Sequence, residues 1–290
     1  DDPIFHARFQ ALLFEPIKVP TPYTYRPPPG FTPEAWGEHC IRTAEAMIAS
    51  RAHELAAVCV EPLVQGAAGM IRQPKGFLAR LAAACRAHDV LLICDEVATG
   101  FGRTGTMFAV EQEGVVPDLL CLAKGITGGY LPLAATLAND RIFEAFLGPV
   151  ESRRAFFHGH TYTGNPLACA AALASLDLFE ANRVLERLQP KIDRLARGLA
   201  AIAELPHVGE VRQTGTMVGI ELVRDRASKA PWPVEARMGH RVVLAARRRG
   251  VIVRPIGDVV ILMPPLAISE EEIALLCDVT REAIVEATAA

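Results

Sequence analysis

Two uninterrupted apolar runs decide what this chain can fold into. Ala56-Ala57-Val58-Cys59-Val60 ends at Glu61-Pro62, and Val90-Leu91-Leu92-Ile93-Cys94 stops at Asp95-Glu96. A strand with one wet face alternates apolar and polar residues, whereas a strand apolar at every position is suited to a parallel sheet covered on both faces by helices. Helical patterns flank the two runs at about 33–52 and 76–88, with a shorter one near 107–113. Further short strands are expected near 118–121 and 133–138, followed by a long helix over about 166–180 and a second reaching 199. This alternation predicts an α/β fold built on a mostly parallel sheet. Such sheets bind ligands beyond the carboxyl ends of their strands, and Asp95 stands at such an end.

The last third has a different texture. Residues 211–223 alternate like a strand, 234–249 read as a helix, and 251–254 and 259–263 read as two short strands. Ser269-Glu270-Glu271-Glu272 is a capping box opening a final helix to about 286. With 290 residues, and about 150 per domain, two units are expected: a large domain over 1–188 and a smaller α+β domain over 189–290. The first 35 residues, rich in proline and aromatics, read as extended connection.

Composition narrows the partners. The chain is 51% hydrophobic and 22% charged with a formal charge of −3, which excludes a disordered tail and gives no electrostatic footprint for nucleic acid or an anionic membrane. A small-molecule partner is expected. No apolar run approaches the roughly 20 residues of a membrane span, and Asp1-Asp2-Pro3 opens without a basic export signal. Seven cysteines without a CxxC pair predict reduced thiols and a cytoplasmic location. Cys59, Cys94 and Cys121 lie in apolar runs, where free cysteine acts as a small core residue.

Two segments carry chemistry. Asp95-Glu96-Val97-Ala98-Thr99-Gly100 delivers acids from a buried strand into a glycine-punctuated loop. Leu122-Ala123-Lys124-Gly125 places a lysine between small apolar residues and the glycines Gly125, Gly128 and Gly129. A desolvated lysine has a more accessible free amine, which forms Schiff bases. An acid at the neighbouring strand end suits the pyridinium nitrogen of pyridoxal 5′-phosphate (PLP). His158 and His160 flank Gly159 without a third ligand, so no metal site is expected. Arg247, Arg248 and Arg249 fit a solvated last helical turn.

The segment from Asp95 through Lys124 resembles the signature of the class III (fold type I) PLP-dependent aminotransferases. Glu61-Pro62-Leu63-Val64-Gln65-Gly66, Phe157-His158-Gly159-His160-Thr161-Tyr162-Thr163-Gly164-Asn165-Pro166 and Val253-Arg254-Pro255-Ile256-Gly257-Asp258 follow in the family's order. The resemblance implies PLP as cofactor, Lys124 as its Schiff-base lysine, Asp95 as its pyridinium partner and Val97 packing on its ring. It also implies that Thr161, with Gly159 and His160 in the same loop, reaches the cofactor phosphate of the other subunit of a homodimer. Arg254 would bind the substrate carboxylate, in a pocket shared with Gly159 and Lys124. Ala67, Ala98 and Ile261 depart from the ornithine and 4-aminobutyrate branches. The branch of closest similarity acts in biotin biosynthesis on 8-amino-7-oxononanoate, with S-adenosylmethionine or lysine as amino donor. Another class III ω-aminotransferase, or a silent homologue that only dimerises, is the alternative. The family's N-terminal portion, which carries a phosphate loop and an aromatic ring stacker, is not in this sequence, so weak cofactor retention is expected of these residues alone.

Overall fold

The computed structural model describes residues 7–289, and the reading of Asp1-Asp2-Pro3 lies outside them. After a short 3-10 turn (Ala7–Leu12), the chain runs without regular structure to helix α1 (Pro33–Arg51). Proline at the start of α1 sacrifices no hydrogen bond, and the Thr32 hydroxyl caps it by accepting from the Ala35 N–H at 3.2 Å. Strand β1 (Ala57–Val60) leads into a small hairpin of β2 (Val64–Gln65) and β3 (Ile71–Arg72). Helix α2 (Phe77–Ala87), β4 (Leu91–Asp95), β5 (Leu119–Leu122) and β6 (Ala135–Ala138) follow. The sheet order is β1-β4-β5-β6, the first three parallel and β6 antiparallel. The segment near 107–113 forms a 3-10 turn (Ala109–Glu113) rather than an α-helix.

One face of this sheet is packed. Leu92 and Cys94 of β4 join Cys40, Ile41, Ala44 and Ile48 of α1 and Phe77, Leu78 and Leu81 of α2 in one core. Burial there pushes the Cys94 thiol up to about 12. On the other face, Leu91, Ile93 and Asp95 are only half-buried. The expectation of three core cysteines therefore fails for two: Cys59 is exposed and Cys121 half-buried. Parallel register puts Cys59 beside Ile93, and Cys121 beside Asp95, on the less covered face. An all-apolar run shows that a strand suits cover on both sides, but among the described residues a full second layer is missing.

Helix α3 (Asp140–Ala145) and helix α4 (Pro166–Ala181) follow, and α4 buries only Ala168 and Ala172. Helix α5 (Val184–Ala203) turns Leu195, Leu199 and Ile202 into a second core. That core is completed by β7 (Val208–Thr214), β8 (Met217–Leu222), α6 (Met238–Arg248), Val253 just before β9 (Arg254–Ile256), β10 (Val259–Leu262) and α7 (Glu270–Thr288). Its sheet is antiparallel, in the order β7-β8-β10-β9. Three expectations are corrected here. The strand read over 211–223 is a hairpin, turned at Gly215 with φ +59°. The helix read over 234–249 breaks at Arg237, whose φ is +45°. The strand read over 251–254 begins only at Arg254. The Ser269 capping box forms, with the Ser269 N–H donating to Glu272 at 2.8 Å and the Glu272 N–H to the Ser269 hydroxyl at 3.1 Å. Arg249 is not merely solvated: it pairs with Glu282 and Glu286 on α7, at 3.2 and 2.6 Å.

A clasp joins the start of the chain to the second sheet. Buried Glu221 on β8 accepts from Arg26 at 2.7 Å, from Arg212 at 2.6 Å and from the Tyr23 hydroxyl. Arg212 also donates to the Gly69 carbonyl at 2.7 Å, tying the β2–β3 hairpin to β7. Among the described residues, no helix is long and apolar enough to cross a membrane.

Candidate active site

The parallel register sets the site. Ile93, Cys94 and Asp95 pair with Leu119, Leu120 and Cys121, so Asp95 at the end of β4 lies beside the end of β5, and Lys124 follows β5 by two residues. Val60 pairs with Cys94, which makes Glu61 the neighbour of Asp95 on the other side. Three adjacent strand ends thus present Glu61, Asp95 and Lys124 along one edge, the edge where parallel sheets bind ligands.

Each group is held by local structure. The Asp95 Oδ1 accepts from the Val97 N–H at 3.0 Å, which fixes the carboxylate against the turn that carries half-buried Val97. Glu96 points the opposite way and is fully buried. It accepts from the N–H groups of Ala109 and Val110, at 2.8 and 2.9 Å, and from the Thr99 hydroxyl at 3.0 Å. Burial raises its pKa against the opposing pull of those donors. Glu61 is half-buried, its Oε2 accepting from the Gly66 N–H at 2.8 Å, while its carbonyl accepts from the Gln73 side chain at 2.8 Å. Desolvation raises the Glu61 pKa; the Gly66 N–H lowers it, the charge of Asp95 raises it and Lys124 lowers it.

Lys124 departs from the sequence reading. Its side chain is exposed rather than desolvated, because no described element roofs the strand ends above it. Its backbone is left-handed, φ +48°, at the start of a 3-10 turn (Lys124–Thr127). Phe101, itself left-handed and buried, braces that turn. A Cβ at Gly125 would stand 2.8 Å from the Phe101 Cβ. Gly125→Ala is therefore expected to destabilise the protein by about 1–3 kcal/mol, as overpacking does. Urea unfolding would check this, and an unchanged midpoint would show that Phe101 yields.

The other candidates sit apart. Gly159, His160 and Thr161 occupy one exposed turn. The His160 N–H donates to the Thr163 hydroxyl at 3.0 Å, and the Tyr162 N–H donates to His160 Nδ1 at 3.1 Å. No hydrogen bond among the described residues joins this turn to Asp95, Val97 or Lys124. Arg254 opens β9 opposite Ile261, exposed, with no ion-pair or hydrogen-bond partner for its guanidinium among the described residues. Ile261 packs in a small core with Val64, against which Ala98 also lies, so the β9–β10 edge adjoins the loop after Asp95. A cavity of about 860 Å³ lies between the turn after Lys124, α4 and α5, but neither Asp95 nor Lys124 lines it.

Sequence reading did not single out Glu61, which the structure places beside Asp95, or Phe101, which it places against Gly125. The signal for Glu61 was present: like Asp95, it ends a wholly apolar run. A primary amine and carboxylates on one edge form a donor set that fits PLP, the amine taking an aldehyde and a carboxylate taking a protonated ring nitrogen.

The family described as aminotransferase class-III matches residues 1–284. An adenosylmethionine-8-amino-7-oxononanoate aminotransferase of Nitratidesulfovibrio vulgaris is 59% identical over 98% of this chain and 53% of its own length. Its counterpart in Geobacter sulfurreducens is 54% identical over 95% of this chain and 61% of its own. The crystal structure of the enzyme of that name from Methanocaldococcus jannaschii superposes with a TM-score of 0.91 at 46% identity, over 98% of this chain and 63% of that one. An omega transaminase from Pseudomonas jessenii in complex with PMP gives 0.90 at 32% identity, over 99% and 64%. The chain thus spans between about half and two-thirds of the length of these relatives. It belongs to the class III aminotransferase family and has the type I fold of PLP-dependent transferases.

Proposed function

We propose that this chain serves the PLP-dependent transamination of 8-amino-7-oxononanoate to 7,8-diaminononanoate in biotin biosynthesis, with S-adenosylmethionine or lysine as amino donor. The observation that carries the reading is the juxtaposition of Asp95 and Lys124 on adjacent strand ends, in a chain 54–59% identical to relatives of that activity by name. Bound PLP supplies an electron sink for the carbon that loses a proton. Lys124 would hold the cofactor through Nζ and, as the free amine, would carry a proton from the amine-bearing substrate carbon to the cofactor carbon that receives the nitrogen. Asp95, oriented by the Val97 N–H, accepts from the ring N–H. Val97 packs on the ring.

Thr161 donates to the cofactor phosphate of a second subunit, with Gly159 and His160 completing the loop. The exposure of this turn, and of Phe143, Phe156, Phe157, Tyr162 and Leu167 near it in the chain, supports a homodimer. The two separate cores support a cofactor-binding domain over 1–188 and a smaller domain over 189–290. The seven cysteines, none joined in a disulfide among the described residues, support a cytoplasmic location.

Arg254 grips the ketone substrate's carboxylate. Charge-assisted hydrogen bonds are worth about 1.5–3 kcal/mol, so Arg254→Ala should raise KM for 8-amino-7-oxononanoate about 10- to 100-fold with a smaller change in kcat. An unchanged KM removes that role. The reading itself is tested by incubating the protein with PLP, 8-amino-7-oxononanoate and either donor and following diaminononanoate by mass. Formation with neither donor, but turnover of other amines, would favour another ω-aminotransferase, the activity named for the 32%-identical neighbour.

A further inference from the structure

We infer that Glu61 is a positioning residue of this site, a second carboxylate whose charge adds to that of Asp95 at the point where the cofactor's ring nitrogen is held. The inference rests on the reading above and goes beyond it.

Three observations carry it. The first is register: parallel pairing of Val60 with Cys94 sets Glu61 and Asp95 side by side, and parallel partners point to the same face of a sheet. That face is the one where Cys59 and Cys121 also lie, opposite the packed core. The second is rigidity. The Glu61 carboxylate is tied to the Gly66 N–H, its carbonyl to Gln73, and the Leu63 N–H donates to the Gln73 side chain at 3.0 Å. The hairpin is in turn held by Arg212 through the Gly69 carbonyl. The third is that, among the described residues, the carboxylate takes one hydrogen bond, from a backbone N–H to Oε2, which leaves Oε1 unengaged in a half-buried position beside another acid. A purely structural acceptor for Gly66 needs no charge, since a glutamine carbonyl would do the same.

A negative charge near the ring nitrogen and the Lys124 nitrogen favours their protonated forms, and the effect of one charge several ångström away at a half-exposed site is about 0.5–1 pH unit. The titratable groups around Glu61 are Asp95 on β4, Lys124 after β5 and the thiol of Cys59, which Cys121 adjoins in turn.

The test compares Glu61→Gln and Glu61→Asp with the unaltered protein, each loaded with PLP. Glu61→Gln keeps the acceptor for Gly66 and loses the charge. Its unfolding midpoint in urea should be unchanged, while the pH midpoint of the visible absorbance of bound PLP falls by about 0.5–1 unit and the Kd for PLP rises about three- to tenfold. Glu61→Asp keeps the charge but is too short for the Gly66 bond, so the pH midpoint should return while stability drops. Unchanged midpoint and Kd in Glu61→Gln, or losses that follow stability in both variants, overturn the inference and leave the cofactor reading standing. An unaltered protein that develops no visible band with PLP overturns both.

Discussion

Lys124→Ala is expected to abolish the visible absorbance that PLP gives the protein and to lower turnover by about 10⁴-fold or more, the upper end of what a positioned proton-transferring group contributes. The side chain is exposed and makes no hydrogen bond among the described residues, so its removal should change stability by no more than about 0.5 kcal/mol. Alanine and lysine meet the same cost at the left-handed backbone of position 124, because both carry a Cβ. The substitution therefore separates chemistry from folding. Absorbance and turnover lost together, with an unchanged urea midpoint, support the assignment; turnover retained above about a tenth removes Lys124 from the reaction.

The largest effect on stability is expected at Glu96. Its carboxylate is fully buried and satisfies three donors that fasten the 3-10 turn at Ala109 to the end of β4. Glu96→Ala leaves two backbone N–H groups and a hydroxyl unpaired in a water-poor site, a loss of about 3–5 kcal/mol. Glu96→Gln presents an amide N–H to a donor in place of one carboxylate oxygen and should lose about 2–3 kcal/mol. The loss also depends on pH. Burial raises the Glu96 pKa in the folded state, so the folded protein holds this proton more tightly than the unfolded chain does. The resulting stabilisation is complete below about pH 4, the unfolded carboxyl range, and fades as pH rises through the raised folded value. Urea midpoints should then show the largest deficit for Glu96→Gln near pH 4 and a smaller one at neutrality. A deficit independent of pH would mean that Glu96 titrates alike in both states.

Much of this site was legible because strand ends are written in one dimension. The apolar run before Asp95 marks both where β4 stops and on which edge the acid emerges, and the same logic holds for Lys124 two residues past β5. What the sequence hides is the third dimension of cover. Cys59 and Cys94 sit in equivalent apolar runs, yet one is exposed and the other buried, because helices α1 and α2 pack on a single face. Alternation likewise ran straight through 211–223, since a two-residue turn preserves the period of two on both sides of Gly215. The bracing of Gly125 by Phe101 depends on a contact between residues 24 apart in the chain, which no local pattern encodes.

The clasp of Tyr23 and Arg26 on Glu221 has a consequence for the order of events during synthesis. Arg26 and its partner are 195 residues apart, so at about 5–20 residues per second the early strap waits some 10–40 s for the strand it fastens. Until then the prolines and tyrosines of residues 16–29 have no sheet to lie on, while the core around β4 can already assemble from chain made earlier. The clasp closes only once β8 has been made, and because it closes so long a loop it is a natural early point of release when the native protein opens.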